Sequence, residues 1–144
     1  MFEKFSAFFS KKNNRRTYAD KSILIVDDSE MDLRIIAKAL QCLGCRVLTA
    51  EDGDIGYTMA VQEKPNLILS DCNMPRLSGV EMVKQLKEND VTENIPVIFL
   101  TAEDSPKNVI DCFEIDAYNY MCKPINPKIL NNQIEEILQE HLSA

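Results

Sequence analysis

Short apolar segments alternate along the chain with stretches in which apolar residues recur every three or four positions. The strand-like segments cover about 22–27, 46–49, 67–71, 96–101 and 118–122. The stretches between them have the spacing of amphipathic helices. Strands that alternate with helices predict an α/β fold with a parallel sheet, and right-handed crossovers cover both faces of that sheet with helices. We therefore expect one doubly wound, five-stranded parallel sheet with five flanking helices and its least apolar strand, 118–122, at an edge.

Polar and turn-forming residues mark the expected helix ends. Ser29 is placed to cap the first helix, and Gly44 suits the left-handed position that follows a helix. The second helix begins near Asp52, Ser105-Pro106 starts the fourth, and Asn126-Pro127 starts the fifth. The apolar spacing predicts that the helices bury Ile35, Ile36, Ala39, Leu40, Leu43, Ile55, Met59, Ala60, Met82, Val83, Leu86, Leu130, Ile134, Ile137 and Leu138.

Polar side chains stand at the ends of four predicted strands. Asp27 and Asp28 come at the end of the first, Asp71 ends the third, Thr101 ends the fourth and Lys123 follows the fifth. Because the carboxyl ends of parallel strands lie along one edge of a sheet, and ligands bind beyond that edge, these side chains should converge. Carboxylate oxygens suit a hard cation and an ammonium suits a phosphoryl group, so the cluster predicts a site for both. Each residue alone also has an ordinary structural role, such as helix capping by an acid.

The composition and charge of the chain argue against several classes of protein. A chain of 144 residues with 45% hydrophobic and 27% charged residues is expected to form one soluble globular domain. It contains neither an apolar run of roughly 18 residues nor a signal peptide, so a cytoplasmic location is expected. Residues 1–21 carry six basic and two acidic residues, or +4, and the remaining residues carry −11, for a net charge of −7. That acidic body argues against a nucleic-acid-binding domain.

The cysteines predict reduced, buried thiols. They are Cys42, Cys45, Cys72, Cys112 and Cys122. An odd number in mostly apolar surroundings does not suit a disulfide framework. Cys42-x-x-Cys45 also has the spacing of a redox pair or of half a zinc site, but no second pair or set of histidines accompanies it.

Linked motifs at the ends of the predicted strands carry a resemblance to a known family. They are Asp27-Asp28, the run Asp71-Cys72-Asn73-Met74-Pro75 with Ser78-Gly79, Thr101-Ala102 and Lys123-Pro124. With these motifs in this order, the chain over about 21–144 resembles the receiver domains of two-component response regulators. The resemblance implies a flavodoxin-like sheet of order 2-1-3-4-5 and a cis Lys123-Pro124 peptide bond. Asp116 stands where relatives usually have a glycine, which suits a left-handed turn. Aspartate tolerates that conformation at modest cost, so we expect an intact fold with a slightly strained or shifted turn.

The resemblance also implies roles around Asp71. Asp71 would be the phosphoacceptor, attacking a phosphoryl donor to form an aspartyl phosphate. Asp28, Asp71 and the carbonyl of Asn73 would ligate Mg²⁺ directly, and Asp27 would act through water.

Other residues would sense the phosphoryl group and set its lifetime. Thr101 would donate a hydrogen bond to the phosphoryl group, and Lys123 would neutralise its charge. Tyr120 would follow Thr101 inward as a switch aromatic, unless it is a static residue of the edge strand. Asn73 and Glu103 resemble the combination of chemotaxis-type receivers and imply rapid autodephosphorylation, unless both are simply exposed loop residues.

By resemblance, we expect the chain to be a stand-alone response regulator that accepts its phosphoryl group from a histidine kinase and is not otherwise an enzyme. Its readout would be a protein-binding surface formed by helix four, strand five and helix five, roughly 105–142. One alternative is a phosphorelay intermediate that passes the phosphoryl group to a histidine phosphotransfer protein. Another is a Mg²⁺-dependent phosphohydrolase on a similar sheet, such as the haloacid-dehalogenase-like enzymes. Those enzymes carry an acid two residues after the nucleophile, where this chain has Asn73.

Residues 1–20 lie outside the family pattern and form a basic, aromatic extension. Phe2, Phe5 and Phe9 recur at helical spacing, with Phe8 beside them. The basic residues that follow are Lys11, Lys12, Arg15 and Arg16. Three fates stay open for this extension: a flexible tail, a helix that docks in a protein groove, and a helix on an anionic membrane surface.

Overall fold

The computed structural model describes residues 18–102 and 106–143, with side chains described for 18–102 and 110–140. Its strands are Ser22–Val26 (β1), Arg46–Ala50 (β2), Leu67–Ser70 (β3), Val97–Thr101 (β4) and Asn119–Cys122 (β5). Its α-helices are Glu30–Leu40 (α1), Gly53–Glu63 (α2), Gly79–Lys87 (α3), Pro106–Glu114 (α4) and Pro127–Ser143 (α5). Each observed strand end lies within one residue of its predicted position. No helix among the described residues has the length and apolarity needed to cross a membrane.

All five strands are parallel, in the expected order β2-β1-β3-β4-β5, with β5 at an edge. Val26 at the end of β1 pairs with Ser70 at the end of β3. The N–H of Asp71 donates to the Val26 carbonyl over 3.0 Å. Thr101 at the end of β4 pairs with Cys122 at the end of β5. This register brings the residues that follow these strands to one edge of the sheet.

Apolar side chains cover both faces of the sheet. Ile23 and Ile25 of β1 belong to a core cluster with α1 and α5, whereas Leu24 and Val26 belong to a second cluster with α2, α3 and α4. Alternate residues of a strand face opposite sides, so a strand covered on both faces is apolar throughout. This explains why β1, β3 and β4, which lie inside the sheet, are nearly continuous apolar runs.

Helix α1 begins where the sequence predicts, but its buried face differs at one position. Ser29 caps the helix, and its Oγ accepts from the Asp32 N–H over 3.2 Å. A 3₁₀ turn, Gln41–Leu43, extends the helix, and Gly44 after it has the predicted left-handed conformation. Ile35 is 51% exposed, so the prediction that it is buried is wrong. It lies about 100° around the helix from the adjacent Ile36, which is on the buried face. The buried residues of α1 are Leu33, Ile36 and Leu40.

Helix α2 packs closely on the sheet because small residues face it. Its buried residues are Gly53, Gly56 and Ala60. Ile55 is 47% exposed, so the prediction that it is buried is also wrong. A Cβ added at Gly56 would lie 2.9 Å from both the Sδ of Met82 and the Cγ2 of Val26. The close approach leaves no room for a large residue on the inner face, and Ile55 lies beside that face.

The other predicted core positions agree with the structure. Those that are buried are Ile36, Leu40, Leu43, Ala60, Met82, Val83, Leu86, Leu130, Ile134, Ile137 and Leu138. Ala39 and Met59 are half-buried. The predicted cap Ser105 lies outside the described residues.

The packed domain includes Tyr18, which the sequence analysis assigned to the N-terminal extension. Its side chain is 1% exposed and lies in the core cluster with α1 and α5. Its hydroxyl accepts from Nε2 of Gln139 at 3.1 Å, and its N–H donates to the Leu43 carbonyl at 3.1 Å. Residues 1–17, with their phenylalanines and basic cluster, lie outside the described residues, so the three fates of the extension stay predictions.

Two backbone features expected from the resemblance are present. Asp116 has a φ of 62°, in the left-handed region. Its N–H donates to the Phe113 carbonyl over 3.1 Å, at the end of α4. The Lys123–Pro124 peptide bond is cis.

The cysteines are all free, but they are not all buried. Cys72 and Cys112 are buried, with their Sγ atoms 3.4 Å apart, and Cys45 is half-buried. Cys42 and Cys122 are exposed, so the prediction of buried thiols is wrong for these two. Cys42 lies in the 3₁₀ turn and Cys122 ends the edge strand, and solvent reaches both places.

Candidate functional site

Three carboxylates meet beyond the ends of β1 and β3. Asp27, Asp28 and Asp71 each offer an oxygen, and these oxygens lie within 4.8 Å of one another. They meet because β1 and β3 are neighbours and Asp27 and Asp71 directly follow these strands. Asp27 is 1% exposed, and its Oδ1 accepts from the Ser29 N–H over 2.9 Å. Asp28 is exposed, so the acid cluster reaches from the core to solvent.

The ammonium of Lys123 lies among carboxylates. Its Nζ donates to the Oδ2 atoms of Asp27 at 2.7 Å, Asp32 at 2.8 Å and Asp71 at 3.4 Å. The Lys123 side chain is 14% exposed, so these ion pairs are largely shielded from water. Its backbone N–H donates to the Thr101 carbonyl over 2.8 Å, which holds the residue at the end of β5.

Asp32 is a site residue that the sequence pattern does not predict. It is the third residue of α1, and its N–H is bound by the Ser29 side chain. In the sequence, Ser29-x-x-Asp32 resembles the spacing of a helix-capping motif, so the acid has an ordinary structural explanation. Only the tertiary structure shows that its carboxylate reaches Lys123, which is 91 positions away.

Burial and charge shift the pKa values of Asp71 and Lys123. Burial raises the pKa of Asp71; the ammonium of Lys123 opposes this effect, and the charge of Asp27 adds to it. Burial would lower the pKa of Lys123, but hydrogen bonds to Asp27 and Asp32 and the surrounding negative charge outweigh it. The pKa of Lys123 therefore lies above its ordinary value, and the side chain is charged at neutral pH.

The loop after β3 holds Asp71 against the start of α3. The Gly79 N–H donates to the Cys72 carbonyl over 2.9 Å. A Cβ added at Gly79 would lie 1.9 Å from the carbonyl oxygen of Asp71, so only glycine fits there. Ser78 caps α3 and forms a capping box with Glu81, in which each side chain bonds the other residue's backbone N–H. The Ser78-Gly79 motif therefore sets the position of the loop that carries Asp71.

Thr101 ends β4, and Tyr120 lies within the neighbouring strand β5. Thr101 is 1% exposed, and its side chain hydrogen-bonds the thiol of Cys72, the residue after Asp71. Tyr120 is half-buried on β5 and packs against the core cluster on the side of α4. Thr101 thus lies between the acid cluster and β5, because β4 lies between β3 and β5.

Of the two positions expected to set the lifetime of the phosphoryl group, only Asn73 lies among the described residues. Asn73 is exposed, and its N–H donates to Oδ1 of Asp71 over 3.3 Å. Glu103 lies outside the described residues, so its predicted role stays a prediction.

The geometry suits a hard cation and a phosphoryl group. Carboxylate oxygens gathered at this spacing are the ligands that a hard divalent cation prefers. The charged ammonium beside them complements the oxygens of a phosphoryl group.

Comparisons with known proteins agree with this arrangement. The family model described as response regulator receiver domain matches residues 23–135. The phosphate regulon transcriptional regulatory protein PhoB of Pseudomonas aeruginosa is 38% identical over 119 residues, 83% of this chain and 52% of that protein. The chain thus spans about half the length of that relative. A chemotaxis protein CheY homolog of Campylobacter jejuni is 34% identical over 118 residues, 81% of this chain and 91% of that protein.

A solved structure has the same fold. It is the receiver domain of a sensor histidine kinase of Pseudomonas aeruginosa, with a TM-score of 0.77 and 25% identity. The match covers 83% of this chain and 98% of that chain. In that structure a magnesium ion is coordinated in the active-site cleft.

Proposed function

Because the chain belongs to the response regulator receiver domain family, we propose that it is a phosphorylation-driven switch of two-component signalling whose phosphoacceptor is Asp71. The observation that carries the proposal is the position of the Asp71 carboxylate. It lies within 4.8 Å of oxygens of Asp27 and Asp28, and the Lys123 ammonium is 3.4 Å from its Oδ2. Its side chain is 12% exposed, so it is shielded but reachable from solvent.

A phosphohistidine of a histidine kinase would be the phosphoryl donor. A carboxylate oxygen of Asp71 forms a bond to phosphorus as the bond from phosphorus to the histidine nitrogen breaks. That nitrogen keeps the electron pair and takes up a proton. Catalysis of phosphoryl transfer is mainly positioning and stabilisation of charge. Lys123, which is charged and beside Asp71, would stabilise the negative charge on the phosphoryl oxygens.

The residues of the site fit a magnesium ion. Three carboxylate oxygens within 4.8 Å of one another form the hard, anionic ligand set that Mg²⁺ prefers. Asp28, Asp71 and the carbonyl of Asn73 would ligate it directly, and Asp27 would act through water. When bound, the ion would supply positive charge that offsets the repulsion between the acids and the phosphoryl group. The magnesium ion of the related receiver structure supports this assignment.

Thr101 and Tyr120 would couple phosphorylation of Asp71 to a change in the protein-binding surface. The Thr101 hydroxyl would hydrogen-bond the phosphoryl group, and Tyr120 would move inward with it. The surface of α4, β5 and α5 would then bind a downstream protein. Ile110, Phe113 and Tyr118 on this surface are 55%, 56% and 38% exposed, and such exposed apolar side chains support a protein-binding role.

The phosphoryl group would act as a signal, not as a step of substrate turnover. Asn73 is exposed beside Asp71, where it would orient an attacking water, so we expect rapid, chemotaxis-like autodephosphorylation. A phosphoryl group that persisted for many hours and passed to a histidine phosphotransfer protein would support a phosphorelay intermediate. Rapid multiple turnover of small phosphate esters would support a phosphohydrolase.

Phosphotransfer from a panel of purified, radiolabelled histidine kinases tests the proposal. The samples would be the wild type, Asp71→Asn and the control Asp90→Asn, all with Mg²⁺. Asp90 is an exposed acid in the loop before β4, on the side of the sheet where the strands begin and thus away from Asp71. Its variant controls for the loss of one carboxylate. We expect label on the wild type and on Asp90→Asn but not on Asp71→Asn. Equal labelling of all three proteins would contradict the assignment of Asp71.

A further inference from the structure

The ammonium of Lys123 is held by a carboxylate that lies outside the acid cluster. Asp27 and Asp71 belong to the cluster proposed to bind the metal, whereas Asp32 does not. The contact from Lys123 to Asp32 is 2.8 Å, and the contact to Asp71 is 3.4 Å. The ammonium therefore lies closer to a helical acid than to the phosphoacceptor.

Both partners of this contact are held in place by their surroundings. Asp32 lies in the first turn of α1, where Ser29 caps the helix and the neighbouring Leu33 is 6% exposed. Lys123 is held by the hydrogen bond from its N–H to the Thr101 carbonyl. The Asp32 side chain is 33% exposed and that of Lys123 is 14% exposed, so water screens the pair only in part.

A phosphoryl group on Asp71 would have to compete for the donors of the ammonium. A lysine ammonium has three N–H donors, and all three contacts here are with carboxylates. Asp27 and Asp71 would be neutralised in part by a cation in the cluster, which would weaken their hold on the lysine. Asp32 would keep its full negative charge, so its hold on the ammonium would persist when the phosphoryl group forms.

We propose that Asp32 is a positioning residue that holds Lys123 in its unphosphorylated arrangement and competes with the phosphoryl group for the ammonium. The inference rests on the proposed function of Asp71 as phosphoacceptor. Without the Asp32 charge, the turn of Lys123 toward the phosphoryl oxygens would no longer break an ion pair with α1. Asp32 thus lowers the population of the phosphoryl-bound state, because it stabilises the competing arrangement.

Binding of beryllofluoride, a phosphoryl mimic that attaches to a carboxylate, tests the inference. Its dissociation constant would be measured by ¹⁹F NMR with Mg²⁺ for the wild type, Asp32→Asn and Glu30→Gln. Glu30 is an exposed acid in the same helical turn that pairs with Arg34, so Glu30→Gln removes one negative charge without touching the lysine. We expect Asp32→Asn to bind roughly three- to tenfold more tightly than the wild type, from the loss of one charge-assisted hydrogen bond. A gain no larger than that of Glu30→Gln would overturn the inference.

A double-mutant cycle separates the contact from a general effect of charge. In the Lys123→Met background, Asp32→Asn should no longer tighten beryllofluoride binding, because the lysine it competes for is absent. A gain that persists in that background would refute the role of Asp32. The ¹⁵N signal of the Lys123 ammonium adds a direct readout, and it should shift in Asp32→Asn but not in Glu30→Gln. An unshifted signal in Asp32→Asn would also refute it.

The same titrations separate this inference from the proposed function. If the wild type does not bind beryllofluoride at Asp71, the proposed function fails and the inference fails with it. If the wild type binds but Asp32→Asn behaves as Glu30→Gln does, only the inference fails.

Discussion

Nζ of Lys123 lies 3.4 Å from Oδ2 of Asp71, although the two residues are 52 positions apart. They follow β5 and β3, which are separated by β4 in the sheet. The lysine side chain therefore spans the carboxyl end of β4 to reach the Asp71 carboxylate. The ammonium thus joins the ends of two strands that share no backbone hydrogen bonds.

Removing the ammonium should destabilise the protein when no cation is present. We expect Lys123→Met to lower the free energy of unfolding by about 1–3 kcal/mol in magnesium-free buffer, because it leaves buried carboxylates without their charged partner. Asp27, whose side chain is 2% exposed, should account for most of the loss. Urea unfolding measures it, with Lys128→Met as the control at an exposed lysine of α5. Similar losses in both variants would show that the buried ion pairs contribute nothing.

The pKa of Asp71 predicts a pH-dependent cost to folding. Burial raises that pKa in the folded state, so the folded protein binds this proton more tightly than the unfolded chain does. The unfolding free energy of the wild type, relative to Asp71→Asn, should therefore fall as pH rises from below about 4, the ordinary value for an aspartate, to neutrality. Urea titrations over that range, without Mg²⁺, measure the difference. A difference that did not change with pH would contradict the shift.

Magnesium should stabilise the folded protein. A ligand that binds only the folded state at a hundredfold excess over its Kd raises the free energy of unfolding by about 2.7 kcal/mol. We expect Tm to rise with MgCl₂ in the wild type and to rise much less in Asp28→Asn. Asp28 is exposed, so its substitution should leave the fold intact. NaCl at equal ionic strength controls for screening, and equal shifts in both proteins would count against Asp28 as a ligand.

Gly79→Ala should damage both the fold and the site. The added methyl group would lie 1.9 Å from the Asp71 carbonyl oxygen, so the loop must shift. We expect a loss of about 1–3 kcal/mol in unfolding free energy and slower phosphorylation of Asp71. Ser78→Ala, which removes the neighbouring helix cap, should cost about 1 kcal/mol and slow phosphorylation less. Equal phosphorylation rates in Gly79→Ala and the wild type would show that the close approach does not position Asp71.

Tyr18 should stabilise the domain although it lies before the family pattern. Tyr18→Ala is expected to lower the free energy of unfolding by about 3–5 kcal/mol, since a large buried aromatic side chain is lost. Tyr18→Phe removes only the hydrogen bond from Gln139 and should cost about 1 kcal/mol. Asp20→Ala is the exposed control. A Tyr18→Ala variant as stable as that control would show that the packing of Tyr18 is unimportant.

In helices α1 and α2, the spacing of apolar residues did not fully predict which side chains are buried. Apolar spacing located both helices, but it placed Ile35 and Ile55 in the core, and both are about half exposed. An apolar pattern shows that a helix has an inner face but not how the helix is rotated on the sheet. In α2 the rotation is set by the close approach at Gly56, which depends on Met82 and Val26 of other elements.

The three clustered acids and the lysine could be found from the sequence, because each stands at the end of an apolar strand and such strands align in a parallel sheet. The order of the strands came from motifs shared with a family. The contact between Asp32 and Lys123 could not be found in this way. It joins residues 91 positions apart, and no local pattern specifies which residue of α1 points toward the end of β5. That direction is set by the packing of Leu33 and Ile36 in the core, which exists only in the folded chain.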